Sequence, residues 1–211
     1  MDFGLRGKTA LVLAGGGGLG RAIAKSLAGE GANVAVAGRG ADSIAGTQAA
    51  LAEIGGKNMG LVWDLADLAQ IDGNVAKIEK ELGPVDILVN NTGGPPPTTA
   101  CGQDPALWSK QFQAMVLSVI AITDRVLPNM RARHWGRIIT STSSGVVVPI
   151  PNLAISNALR LSLVGWSKTL AAKSPRTALP RMLWYRGALR RTASNFSTRQ
   201  KPSAKDAASK R

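Results

Sequence analysis

The stretch Leu11-Val-Leu-Ala-Gly-Gly-Gly-Gly-Leu-Gly20 decides the fold. It completes an apolar, β-type run from Thr9 to Ala14 and leads into Arg21-Ala-Ile-Ala-Lys-Ser-Leu-Ala28, whose apolar residues recur at helical spacing. The order is strand, glycine turn, helix. Glycine meets three needs there: the turn is tight, the backbone must come close to a phosphate, and the helix must pack near the strand. The helix N-terminus then offers free N–H groups and the positive end of its dipole to a pyrophosphate. In this setting the turn reads as a dinucleotide site built from Gly15, Gly16, Gly18, Leu19 and Gly20.

Strand-like and helical segments alternate on both sides of that motif, which implies an α/β fold. Asn33 to Ala37 reads as the second strand, followed by Gly38-Arg39. An acidic residue near this point would hold a ribose 2′-hydroxyl; Arg39 instead suits a 2′-phosphate, which favours NADP with NAD possible. A helix over 43–54 and a strand over 59–63 lead to Asp64-Leu65, at a strand end where ligands sit in open α/β sheets. A helix over 68–82 carries Leu68, Ile71, Val75, Ile78 and Leu82 on one face. Val85 to Val89 is a buried strand, Asn90 to Gly94 a turn, and Pro95-Pro-Pro97 a stiff exit loop. One long helix is expected over 105–130, a fifth strand over 136–141, a loop over 142–152 and a helix over 153–172. His134 follows the end of the long helix and reads as a surface residue.

The 211 residues suit one domain with a sizeable core. The lone Cys101 excludes an internal disulfide, and with the single His134 it excludes a Cys/His zinc cluster; no metal is expected. The start of the chain lacks a signal-peptide core and no run of about 18 apolar residues exists, so no membrane association and a cytoplasmic location are expected. The net charge of +13 is lopsided. Residues 1–172 carry 15 Lys/Arg against 12 Asp/Glu, whereas residues 173–211 carry 11 against Asp206 alone. The basicity describes a tail, able to bind phosphates only non-specifically, and no specific nucleic-acid partner is expected.

These landmarks, in this order over residues 5–172, resemble the short-chain dehydrogenase/reductase family, especially its 3-oxoacyl-acyl-carrier-protein reductase-like members. The family's Thr-Gly-x-x-x-Gly-x-Gly falls on Leu13 to Gly20, with Ala14 at the first glycine. Asp64-Leu65 matches the pair that contacts adenine, and Asn90-Asn-Thr-Gly93 resembles Asn-Asn-Ala-Gly, which places Asn90, Asn91 and Gly93 at the cofactor. Leu127-Pro-x-Met130 and Gly136-Arg-Ile-Ile139 match the approach to the active-site strand. The resemblance implies a Rossmann-like doubly wound parallel sheet in three α/β/α layers, NADP(H)-linked hydride transfer with a small carbonyl or alcohol substrate, and dimers or tetramers through helices 105–130 and 153–172.

The catalytic set departs from that pattern. The family's serine falls on Ser143, its tyrosine proton donor on Ser156, its lysine on Arg160 and its helix asparagine on Met115. A forming alkoxide needs an acid. Tyrosine, with a pKa near 10 lowered by a neighbouring cation, serves that role far better than serine. Arg160 keeps a positive charge one helical turn from Ser156 and suits the cofactor ribose, but cannot exchange a proton at neutral pH. Two functions therefore stay open: an impaired oxidoreductase, or a protein that binds the cofactor without turnover.

After Ala172 the family pattern stops, and the expected sixth strand, Pro-Gly turn and cofactor-closing Thr are missing. Domain boundaries at 1–172 and 173–211 follow, with the second part a basic tail outside the fold that puts assembly in doubt. A frameshift is the hypothesis that would explain it: codons can be chosen for Lys173 onward that, read two bases later, give VAPHGVTANVVVPGRIATDR, which would supply the missing strand, turn and Thr.

Overall fold

Every residue of the first strand, β1 (Thr9–Leu13), is buried. A strand covered on both faces belongs inside a parallel sheet, and its continuous apolar run is the sequence mark of that position. The computed structural model describes residues 2–172 and the strand Arg181–Tyr185. Beside β1 on one side lie β2 (Asn33–Gly38) and β3 (Asn58–Val62); on the other lie β4 (Val85–Asn90), β5 (Arg137–Ser141) and β6 (Arg181–Tyr185). The order is β3-β2-β1-β4-β5-β6, all parallel. The chain winds outward from β1 to β3, then crosses back to β4 and winds the other way, so the switch point lies between β1 and β4.

The helices are α1 (Gly18–Gly29), α2 (Ala41–Ala52), α3 (Ile71–Leu82), α4 (Pro105–Phe112), α5 (Ser118–Ala132) and α6 (Ala154–Ala172). One face of the sheet packs Ala10, Val12, Val34 and Val36 against Ala24 and Ala28 of α1 and Ile44 and Leu51 of α2. The other packs Leu11, Leu13 and Leu88 against Val75 and Ile78 of α3 and Ile122, Val126 and Met130 of α5. Three layers result, as the alternation along the chain implies. The single helix expected over 105–130 is helical throughout, but a π-helical segment, Gln113–Leu117, divides it into α4 and α5. Asp104 caps α4 by accepting from the Ala106 N–H at 2.8 Å, with Pro105 at the first helical position. Met115, Val116 and Val119 then form a third cluster with Ile155, Leu159 and Leu163 of α6. Among the described residues, no helix is long and apolar enough to cross a membrane. His134 is exposed, in the left-handed turn after α5.

Within the stretch after Ala172, Arg181–Tyr185 pairs in register with β5, Ile138 opposite Met182 and Ile139 opposite Leu183. The basic composition of the tail masks a run, Met182-Leu-Trp-Tyr185, that is apolar and aromatic enough for a strand. Residues 173–180 and 186–211 lie outside the described residues, and with them the expected Pro-Gly turn and Thr positions.

A charged side chain stands inside β4. The β1–β4 register shifts between Thr9 and Ala10, leaving Asp86 as the extra residue. Its carboxylate accepts the Thr9 N–H at 3.1 Å, replacing the missing ladder bond. Arg133, beyond α5, donates to Asp86 Oδ1 at 3.0 Å and to the Val85 carbonyl at 3.1 Å. Asp86→Ala strands a buried N–H and a half-buried guanidinium. Urea unfolding of that variant is expected to show a loss of about 2 kcal/mol; a loss under about 0.5 kcal/mol contradicts this role.

Candidate functional site

The C-terminal ends of β1 to β4 open into one cleft of about 620 Å³. Its floor is the glycine turn. The Gly15 N–H donates to the Ala37 carbonyl at 2.9 Å, tying the turn to the end of β2. A Cβ on Gly15 would lie 2.8 Å from Val36 Cβ, and one on Gly16 2.6 Å from Ser43 Oγ. A Cβ on Gly20 would collide with the Ala14 carbonyl, so only glycine lets α1 approach β1 this closely. Gly17 is the N-cap of α1, in extended backbone and with no side-chain cap, and Gly18 is left-handed at φ +51°. The first N–H groups of α1 are therefore unclaimed by a cap and face the cleft end of the strand.

One wall is Gly38, Arg39, Gly40 and Ser43, at the end of β2 and the first turn of α2. Trp63, Asp64, Leu65 and Ala66 follow β3, held by the Trp63 N–H to the Gly38 carbonyl at 2.9 Å. Opposite stand Lys110 and Gln111 of α4 with Ala114 and Met115 of the π-helical segment. Gln113 Nε2 donates to the Ala66 carbonyl at 2.6 Å and fixes that helical wall against the β3 loop. Gly93, Gly94 and Pro96 close the end nearest the switch point.

Gly16, Arg39, Asp64, Leu65 and Gly93 of the expected site line this cleft, while Gly15, Gly18, Leu19 and Gly20 build the turn beneath it. The two asparagines sit differently. Asn90 is buried and turned inward, its Nδ2 donating to Thr123 Oγ1 at 3.2 Å and Thr140 Oγ1 at 3.5 Å, which ties β4 to α5 and β5. Asn91 donates to the Leu13 carbonyl at 3.3 Å and bridges the switch point.

The three residues expected at the reaction centre do not line the cleft. Ser143 Oγ accepts the Gly145 N–H at 3.1 Å and caps a short 3₁₀ turn. Ser156 lies buried in the first turn of α6. That turn is strapped to the exit loop of β4: Thr98 Oγ1 accepts the Ile155 N–H at 3.3 Å, and the Thr98 N–H donates to the Asn152 carbonyl at 2.9 Å. Arg160 turns both terminal nitrogens to backbone carbonyls, Ser141 at 3.3 Å, Gly93 at 3.2 Å and Thr92 at 3.5 Å. Burial holds its pKa below the ordinary arginine value. Met115 is buried in the π-helical segment, with an apolar side chain where the resemblance implies an amide.

Met115 was expected at the site, but Lys110, Gln111 and Ala114 beside it were not: the four recur at the spacing of one helix face, and nothing in the chain order says which face meets a ligand. Sequence reading also missed Ser43 and the backbone of Ala14, a non-glycine residue in the left-handed region at φ +48°. Among the described residues, no group of three His, Cys, Asp or Glu could hold a metal.

A family model described as short chain dehydrogenase matches residues 8–195. The 3-oxoacyl-acyl-carrier-protein reductase of Escherichia coli is 36% identical over 173 residues, covering 81% of this chain and 68% of that protein. Nodulation protein G of Azospirillum brasilense is 35% identical over 172 residues, covering 79% and 68%. The solved structure of L-sorbose reductase from Gluconobacter frateurii, complexed with NADPH and L-sorbose, matches with a TM-score of 0.78 at 30% identity, covering 82% of this chain and 66% of that one. The chain thus spans about two thirds of the length of these relatives.

Left-handed backbone at Ala14 has a measurable cost. Glycine there removes about 1–2 kcal/mol of Cβ strain and loses about 0.5–1 kcal/mol to the freer unfolded chain. Ala14→Gly is therefore expected to gain about 0.5–1 kcal/mol in urea unfolding; a loss would show that Ala14 is unstrained.

Proposed function

The chain belongs to the short-chain dehydrogenase family, and from that premise we propose that its cleft binds NADP(H) for reductase chemistry on a small carbonyl or alcohol, in a form impaired at the proton-donating end. The carrying observation is the glycine turn: Gly20 pressed on the Ala14 carbonyl sets the unclaimed N–H groups of α1 under a cleft flanked by Arg39. The residues lining the cleft fit NADP(H). N–H groups at the start of α1 receive the diphosphate. Arg39 pairs with the 2′-phosphate, with the Ser43 hydroxyl beside it. Asp64 and Leu65 meet the adenine, and Gly93 and Gly94 border the nicotinamide end. The cofactor, when bound, supplies the hydride chemistry. The L-sorbose reductase relative, crystallised with NADPH, supports the phosphorylated cofactor.

The protein's own share is orientation and proton supply, and the second is weak here. Ser143 and Ser156 offer only hydroxyls, far poorer acids than a phenol near pKa 10. General acid catalysis is worth about 10²–10⁴-fold in rate, so its loss leaves slow turnover. A second reading, a nucleotide-binding protein without turnover, is favoured by Arg160, whose terminal nitrogens are taken up by the Ser141, Thr92 and Gly93 carbonyls, and by the apolar Met115.

We also propose that residues 1–172 are the nucleotide-binding unit and that the chain from 173 onward is read out of frame. The strand Arg181–Tyr185 falls on the positions where the second frame reads Ala-Asn-Val-Val-Val, a better strand for the edge of β5. The gene's DNA tests this: codons from 173 onward compatible with the second frame are expected, and incompatible ones end the idea.

Fluorescence titration is expected to show saturable NADPH binding that Arg39→Ala weakens about tenfold or more, with NADH affected less than about twofold. Equal effects on both would remove the 2′-phosphate from Arg39. Turnover over a carbonyl panel separates the two readings: slow but measurable oxidation of NADPH supports the first, and binding with none supports the second.

A further inference from the structure

We propose that Arg160 is a positioning residue, holding the far wall of the cleft through the backbone of the turn after β4 and not through contact with the cofactor. The proposal rests on the nucleotide reading above for what fills the cleft. Arg160 reaches from the middle of α6 to two separate chain ends. Nη1 donates to the carbonyl of Ser141, the last residue of β5, and Nη2 donates to Gly93 and Thr92, just beyond β4. No carboxylate pairs with it among the described residues. Its partners are backbone carbonyls, one at the end of β5 and two in the turn after β4.

The turn needs such an outside hold. Gly93 and Gly94 line the cleft, and a Cβ on Gly93 would meet nothing within 4 Å. Two successive glycines on an exposed turn have wide backbone freedom. Asn91 anchors the start of the turn, through its N–H to the Val89 carbonyl at 3.0 Å and its side chain to Leu13. Only after Asn91 does Arg160 take over, with Nη2 3.9 Å from the place of a Gly94 Cβ. A planar guanidinium fork can bridge two acceptors on different segments; a lysine ammonium is a single point on a flexible stem. The fork thus locks β4's exit to β5's end, at the border of the nicotinamide end and away from Arg39.

The test compares NADP⁺ with adenosine 2′,5′-bisphosphate, which lacks the nicotinamide half, on wild-type chain, Arg160→Lys and Arg160→Met. Both variants are expected to weaken NADP⁺ about tenfold while changing the bisphosphate less than about twofold. Hydrogen exchange is expected to accelerate at the Gly93 and Gly94 amides and to stay unchanged from Gly15 to Gly20. Wild-type affinity for NADP⁺ in Arg160→Lys would overturn the proposal, because a point charge would then suffice. Equal weakening of both ligands would overturn it as well, leaving only general stability. Should Arg160→Met not fold, Arg160→Lys decides alone. If wild-type chain binds neither ligand, the nucleotide reading fails, and exchange at Gly93 and Gly94 in Arg160→Lys decides this proposal: faster supports it, unchanged overturns it.

Discussion

The close contact between Gly20 and the carbonyl of Ala14 is the constraint from which the remainder of the site is built. A helix usually stands off a strand by the thickness of side chains. Here α1 starts inside the glycine turn and rests on the backbone at the end of β1, so its first N–H groups lie at the carboxyl edge of the sheet. That placement requires β1 in the middle of a parallel sheet, covered on both faces. It also requires the reversal of strand order beside β1, because only there do the two outgoing layers leave a crevice. Ala14, held left-handed at the pivot, shows the tightness of the bend.

The two ends of the cleft have fared differently. The end flanked by β2 and β3 has the Arg39 cation and the Asp64-Leu65 pair on short loops after those strands, and the Ser43 hydroxyl in the first turn of α2. Where the family resemblance implies a phenol and an amide, this chain has the buried Ser156 hydroxyl and the buried thioether of Met115. Its remaining cation, Arg160, is directed into the backbone. Binding and chemistry draw on different residues of one fold, so loss of one need not remove the other.

Legibility followed physical cause. β1, β2 and β4 were readable because burial on both faces writes an unbroken apolar run, and the glycine turn because no other residue fits. The face of α3 was readable from its period. The π-helical segment was not, since Gln113 to Leu117 carries no breaker, and its packing of Met115 and Val116 on α6 depends on residues remote in the chain. The helical wall was unreadable until the fold showed which face looks at Asp64. Arg160 was located in sequence, but its direction depends on carbonyls remote in the chain, at Thr92, Gly93 and Ser141. The strand Arg181–Tyr185 was hidden by the surrounding cations.

If the glycine turn receives the dinucleotide's phosphates, its own amides must respond to the ligand. Chain labelled with ¹⁵N-glycine and titrated with NADP⁺ tests it most directly, by following individual amide resonances. Gly16, Gly17, Gly18 and Gly20 are expected to move together and saturate at one concentration, while Gly102 and Gly165, far along the chain from the turn, stay still. Saturable shifts elsewhere with these four amides unmoved would contradict it.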